Sequence, residues 1–293
     1  MRMKQDKRGK PIPKPAYNAQ FSTCNQFILH YSLHQTPNDA SCFIDHMAEA
    51  KQLFAKYNLP NIKEYVGDAI YGTQQNYEFT NEEEIDNYLK YPFFDKELKS
   101  NTAGHKPFDT RHLFYNESQD FFVCPMGQRL YKVGQKTQTR RNGYKVTLDE
   151  YQNRRCENCP LHGVCHKGKG VRKIQFNKEL ERYRKEALDN LTSEKGEWLR
   201  SQRSVDVEPV FGHLKFNRKW DRFTLAGLDK VEIELGLHAI AHNLRKWTKI
   251  RRGKGSFVFL NLIKTYHTSH SIPGKKTTSK IFVLPQVPFR IVA

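Results

Sequence analysis

Between Tyr17 and Val66 the hydrophobic period of this chain changes twice, from two residues to about 3.6 and back, and this limits the fold more than any other stretch. Tyr17, Ala19, Phe21 and Thr23 alternate with more polar neighbours, and Phe27, Leu29, Tyr31 and Leu33 do the same. Two strands joined as a hairpin at Asn25-Gln26 are predicted. Phe43, Met47, Ala50, Phe54 and Tyr57 then recur at helical spacing until Asn58-Leu59-Pro60 stops the helix. A strand from Ile62 to Val66 follows and delivers Asp68. A strand, strand, helix, strand order places the chain in the α/β class, with helices flanking a sheet.

The rest of the chain is less uniform. Residues 78 to 110 are acidic and then mixed, broken by Pro92, Gly104 and Pro107, and suggest a short helix over about 82 to 90 followed by loop. From 119 to 176 short strand-like pieces (119 to 124, 129 to 134, 143 to 148, 171 to 176) carry most of the cysteines and resemble an insertion. Residues 178 to 200 have helical composition. A helix over about 226 to 249 carries Ile233, Leu237, Ile240, Leu244 and Trp247 at alternating steps of four and three, a stripe expected to face the core. The expected organisation is therefore 1–100 as the first part of the core, 101–177 as a cysteine-rich β insertion, 178–250 as helices completing the core, and 251–293 as a basic tail. There is no internal repeat.

Charge narrows the partner. Forty-nine Lys and Arg stand against 31 Asp and Glu, a formal net charge of +18, and such an excess is the footprint of a polyanion partner, nucleic acid first. No run reaches about 18 consecutive apolar residues, so no membrane span is expected. Residues 1 to 15 are basic without an apolar stretch, which excludes a secretory signal and makes the cytoplasm the expected compartment. Arg245, Lys246, Arg251 and Arg252, with Arg140-Arg141, Arg154-Arg155 and Lys167 to Lys173, are candidate phosphate contacts. No helix-turn-helix stands out.

Two short motifs carry candidate chemistry. In Arg203-Ser-Val-Asp-Val-Glu208-Pro-Val-Phe-Gly-His-Leu-Lys215, the spacing puts one acid and two cations near one edge of a short helix, as a metal-binding carboxylate beside cations that hold phosphates requires. A solvated helix with incidental charges is the plainer account of such a trio. In Tyr65-Val-Gly-Asp68-Ala-Ile-Tyr71-Gly72 an apolar strand ends in an exposed acid, a position suited to a metal ligand. An N-cap for the segment that follows is the plainer account of Asp68.

Four of the six cysteines fall as Cys124, Cys156, Cys159 and Cys165. In a reducing compartment this spacing favours metal ligation over disulfides, with Cys156-Glu-Asn-Cys159-Pro as a zinc knuckle and His162 or His166 able to replace one thiolate. Four buried free thiols are the equal alternative. Cys24 and Cys42 are expected in the core.

Together, Gly-Asp68-Ala-Ile-Tyr71-Gly, Arg203-x4-Glu208-Pro-Val-Phe-Gly-x2-Lys215 and Ala241-His-Asn243-Leu-Arg-Lys resemble the later part of a bacterial insertion-sequence transposase with a DDE catalytic domain. Pro15-Ala-Tyr-Asn-Ala-Gln20 and the opening Met1-Arg-Met-Lys-Gln-Asp resemble internal blocks of that family, so the resemblance covers residues 1 to about 250. It implies an RNase H-like mixed sheet in which Asp68 is the second and Glu208 the third of three acids that hold Mg2+. Arg203 and Lys215 would steady phosphates, double-stranded DNA at element ends would be the substrate, and related chains often carry a Cys-rich insertion.

The first acid of that pattern belongs to the opening strand, which has no counterpart before the hairpin. Asp6 and Asp39 do not end an apolar strand, and Asp45 lies on a helical stretch. The resemblance thus implies a sheet missing its first strand, and a truncated or split copy with little activity alone. It would act as a homodimer or with a separately encoded N-terminal part. The alternative is a noncatalytic DNA-binding remnant that occupies element ends. Relatives often carry Tyr shortly before the Arg, where this chain has Arg200, which touches only the grip on phosphate.

Overall fold

A computed structural model describes residues 16–99, 108–220 and 222–252, together with the backbone of 289–292. The elements in order are β1 (Asn18–Cys24), β2 (Phe27–His34), α1 (Phe43–Lys56), β3 (Ile62–Gly67), α2 (Gln74–Glu82), β4 (Asp86–Leu89) and α3 (Phe94–Leu98). Then come β5 (Phe114–Asn116), β6 (Phe121–Val123), β7 (Arg129–Thr139), β8 (Lys145–Asn153), β9 (Lys173–Phe176) and α4 (Lys178–Thr192). The last are α5 (Glu194–Asp206), α6 (Glu208–Gly212), α7 (Leu228–Arg252) and β10 (Phe289–Val292). No helix among the described residues is long and apolar enough to cross a membrane.

The chain divides into two compact units, one formed by Met1–Gly72, Asn76–Lys90 and Asn190–Ala293, the other by Thr73–Gln75 and Tyr91–Asp189. The second unit thus runs to Asp189 and takes in most of α4, where composition suggested a boundary at 177.

In the first unit the predicted hairpin forms, and its turn residues Asn25 and Gln26 take φ of 50° and 62°. Left-handed backbone at both central positions matches the twist of the flanking strands. The spacing of α1 holds for Phe43, Met47, Ala50 and Phe54, which are buried, but Tyr57, the last of the series, caps the helix and is exposed; Asn58 ends the run in left-handed conformation at φ 50°. The sheet order is β2-β1-β10-β3-β4, with β1 antiparallel to β2 and β3 parallel to β4.

Two expectations fail here. The helix expected over 82 to 90 is instead the end of α2, a turn with Glu84 at φ 53°, and β4. Four residues show no period, and pairing of Asp86–Leu89 with Glu64–Gly67 decides the conformation against the local acidic composition. Likewise, the sheet expected to lack a strand is filled at its centre by β10, which lies in the stretch expected to be a basic tail. It runs antiparallel to β1 through Thr23↔Val292 and parallel to β3 through Ile291↔Tyr65 and Val292↔Val66. Without it, facing backbone groups of β1 and β3 would lack partners, a cost that a short strand of almost any apolar sequence relieves.

The helical side packs on β1 and β2. Phe21, Ile28, Val210, Leu214, Leu235 and Ala239 form one buried cluster. Gly236 allows α7 to lie close on β2, because a Cβ there would stand 2.4 Å from the Tyr31 hydroxyl. Asn243 then fixes the register, donating to Ile28 O at 2.8 Å and accepting from Ile28 N at 2.9 Å. The buried face of α7 is Val231, Glu234, Leu235, Gly236, Ala239 and His242. Ile233, Leu237, Ile240, Leu244 and Trp247, expected in the core, are instead between 38% and 62% exposed. The reason is polar: Glu234 accepts the backbone N–H groups of Thr224 and Leu225, and His242 meets Gln26 O at 2.8 Å, so this mixed face supplies partners that the apolar stripe lacks.

The second unit is a five-stranded antiparallel meander, β5-β6-β7-β8-β9, each strand pairing with its neighbour in sequence. Phe122, Cys124, Leu130, Tyr151 and Ile174 form its core, with Tyr115 and Phe176 packed against them. Asp120 accepts from the hydroxyls of Tyr115 and Tyr151 and lies 2.9 Å from Lys178 Nζ. Desolvation of the carboxyl is outweighed by these donors, and its pKa falls to about 2.

Candidate active site

Asp68 follows β3, whose Tyr65 and Val66 are almost fully buried. Gly67 lets the strand end pass close to its neighbours, since a Cβ would sit 2.6 Å from Leu89 Cδ2. The carboxylate itself is 53% exposed. One oxygen caps the following 3-10 turn by accepting Ala69 N–H at 2.8 Å, and the other lies 3.5 Å from an Arg203 terminal nitrogen. The cap that Asp68 was weighed against as a plain alternative is therefore present, and it leaves the second oxygen outward beside a guanidinium. Below this pair, the buried Tyr71 hydroxyl donates to Gln20 Oε1. Burial raises the pKa of Tyr71, Asp39 and Asp68 push the same way, and Arg203 opposes them.

Arg203, Glu208 and Lys215 do not share one regular helix. Arg203 lies in the last turn of α5, Val207 interrupts the run, and Glu208 is the first residue of α6 with Pro209 behind it. A π-helical turn, His213–Asn217, then carries Lys215. A π turn adds a residue per turn, so the two-turn phase assumed between Glu208 and Lys215 is not kept. Glu208 and Lys215 are both exposed, and the Lys215 ammonium lies 5.0 Å from the Phe211 ring centroid. Val210 and Leu214 anchor this segment in the core cluster. Of the predicted catalytic and phosphate residues, Asp68 and Arg203 are thus brought together. Among the described residues no three His, Cys, Asp or Glu are arranged to hold a metal ion.

The cations of α7 differ among themselves. Lys246 donates to Gln26 Oε1 at 2.9 Å and lies 5.6 Å from the Phe27 ring, tied to the hairpin turn rather than free for phosphate. Arg251 stacks on Trp247 at 4.9 Å, while Arg245 and Arg252 are exposed. A feature that sequence alone did not single out is the imidazole pair His213 and His242, with Nδ1 atoms 3.3 Å apart. Burial first, then Arg245 and His242, lowers the pKa of His213; burial likewise leads for His242. Both stay neutral near pH 7, and only the block Ala241-His-Asn243 hinted at the second.

In the second unit Cys124, Cys156, Cys159 and Cys165 line one cavity with His162, His166 and Arg172. Cys156 Sγ accepts Arg172 N–H at 3.3 Å, and Cys165 Sγ lies 2.8 Å from the guanidinium of Arg172, a side chain in a residue only 5% exposed. His166 Nε2 is buried without a hydrogen-bond partner, and burial holds its pKa down. The chain's cysteines are all free thiols.

Residues 123–248 match a family model described as a transposase DDE domain. The match takes in Arg203, Glu208, Lys215 and the four clustered cysteines, covers less than half of the chain, and leaves Asp68 outside. Comparison with curated proteins and with solved structures yields no match. The segment from the end of β6 to the later turns of α7, which carries two of the blocks of the resemblance to insertion-sequence transposases, thus matches the transposase DDE domain family.

Proposed function

We propose that this chain is the DNA-processing part of an insertion-sequence transposase, built on an RNase H-like sheet, and that by itself it binds element-end DNA with little or no cleavage. The observation that carries the reading is the family match around Glu208, joined to Asp68 at the end of β3 against Arg203. The sheet order supports it: a central strand antiparallel to one hairpin and parallel to β3 is what the resemblance requires of a first strand. In this proposal β10 stands in that place.

The described residues do not fit a two-metal site. Phe289-Arg-Ile-Val292 brings no carboxylate to the centre of the sheet, and no set of three donors is present among the described residues. Asp68 and Glu208 would be two of the Mg2+ ligands in a complete assembly, whose chemistry is phosphoryl transfer on DNA. No third carboxylate joins them among the described residues, and the resemblance, which puts the first acid on a strand upstream of the hairpin, is what supports weak or absent activity of this chain alone. Arg203 beside Asp68, and exposed Lys215, Arg245, Arg251 and Arg252, supply cations for phosphate oxygens.

The test is Mg2+-dependent cleavage of element-end DNA by the purified chain. Robust cutting that Asp68→Ala or Glu208→Gln abolishes would overturn the proposed inactivity. A noncatalytic remnant is the second reading, favoured by the missing third donor. That favouring observation is made of the described residues alone; the remnant predicts salt-sensitive DNA binding that neither substitution nor metal removal alters, whereas metal-dependent binding weakened by Asp68→Ala would support an incomplete enzyme.

Structural zinc in the second unit belongs to the same proposal and is supported by its donor set, four thiols and two imidazoles on one cavity. The thiols are not closed to a metal geometry, so binding would draw the segment from Cys156 to Arg172 inward. Metal analysis of the purified chain checks it. One zinc per chain, lost in Cys156→Ser and Cys159→Ser, is expected, and a metal-free chain that takes up none refutes it.

A further inference from the structure

We propose that the exposed face of α7 is a seam for a second copy of this chain, with the two α7 helices antiparallel about an axis at Ile240. The inference does not rest on the DNA chemistry proposed above, although Arg251 and Arg252, offered there to phosphate, would lie at the edge of the seam. Ile233, Leu237, Ile240, Leu244 and Trp247 stand 38% to 62% exposed on one face of a 25-residue helix. The opposite face is already committed to the core through Val231, Leu235 and Ala239. Five large apolar side chains in one continuous line exceed the scattered exposure usual on a monomer.

Three features choose the occupant. The steps of four, three, four and three are those of a coiled-coil seam, which another helix fills and a flat surface or a phosphate backbone does not. The ladder is also nearly symmetric about its middle member, with Ile233 and Trp247 seven residues to either side and Leu237 and Leu244 three and four residues away. In an antiparallel pair Ile233 meets the other copy's Trp247, Leu237 meets Leu244, and Ile240 meets its own equivalent. This is the self-complementarity an isologous twofold contact requires. Finally, Asp229 and Glu232, with Lys230 between them, give the N-terminal end of α7 a net negative charge, while Lys249, Arg251 and Arg252 lie at its C-terminal end. The antiparallel arrangement sets these acids beside those bases, whereas a parallel pair would set like charges together. Two heptads are short for a free coiled coil, but α7 is held helical by its buried face, so association does not also have to fold it.

Sedimentation velocity of the full chain, freed of nucleic acid, over a dilution series reads the association. A reversible dimer is expected, with Leu237→Lys plus Leu244→Lys raising the dissociation constant by about tenfold or more at unchanged circular dichroism and melting. Ile240→Cys should cross-link to itself under mild oxidation, beyond the background of the wild-type thiols. Ile233→Cys should cross-link with Trp247→Cys in a mixture but not with itself. A monomer at every concentration overturns the proposal, as does a dimer that the double Lys variant leaves intact. A chain that dimerises only after residues 257 to 263 are deleted also overturns it, because that apolar run would then own the stripe.

Discussion

The two units solve the same problem, closing a five-stranded sheet, in opposite ways. In the second, every strand pairs with its neighbour in sequence, from β5 to β9. In the first, the middle strand comes from residues 289–292 and is held between β1 and β3, which lie more than two hundred residues earlier. Local pairing costs little loop entropy and is settled by adjacent sequence; distant pairing is settled only once the rest of the fold exists. The first unit should therefore be the vulnerable one.

The largest test of that contrast is Ile291→Pro. It removes a backbone donor from the central strand and should cost the first unit about 3 kcal/mol or more. Hydrogen exchange should then show β1 and β3 losing protection while β7 and β8 keep theirs. Equal loss in both units would erase the distinction.

Acid gives the next largest effect, again on the first unit. Burial, then His34, lowers the His30 pKa to about 4, and burial likewise depresses His46, whose ring nitrogens bond Ser22 and Ser32. The His30 contact with Glu49 at 3.5 Å does not reverse this, so His30 is neutral and the contact is not an ion pair. A histidine depressed in the folded state leaves stability flat above its unfolded value near 6.5 and erodes it as pH falls toward 4. His30 alone accounts for up to about 3 kcal/mol over that window. Melting followed from pH 7 to pH 4.5 should show the first unit failing first, with His30→Gln flattening the profile. In the second unit Asp120, with a pKa of about 2, should stay ionised throughout.

A smaller effect probes the second unit by itself. Tyr151→Phe removes one donor from Asp120 while Tyr115 and Lys178 remain, and about 1 kcal/mol should be lost from that unit's unfolding. Smallest of all, Asp68→Asn should change stability by no more than about 0.5 kcal/mol, because its exposed pairing with Arg203 is screened by solvent. A large destabilisation there would make Asp68 a structural residue and weaken the functional reading.

The same contrast explains what was legible. The hairpin, α1 and β3 were readable because each buries one face with a clear period, and β6 to β9 as short strand-like pieces, whereas the three-residue β5 was not. β4 and β10 were not, since four residues carry no period and tertiary pairing alone assigns them. For α7 the helix was evident but its inward face was not. Both faces carry apolar residues, and the buried one was decided by Glu234 and His242 satisfying loop backbone groups. At the candidate site the acids and cations were visible singly. The Asp68–Arg203 contact and the π turn under Lys215 depend on where α5 ends and α6 begins, which Val207 sets without any signal in composition.

The position of β10 also orders events during synthesis. The ribosome delivers both flanking strands early, yet the piece that seals the gap between them follows more than two hundred residues later. Throughout that interval the nascent chain carries two raw strand edges, which invite adhesion to neighbouring polypeptides. A message cut short after α7 would yield a product with that wound permanently open, fit for a chaperone or a protease rather than for DNA.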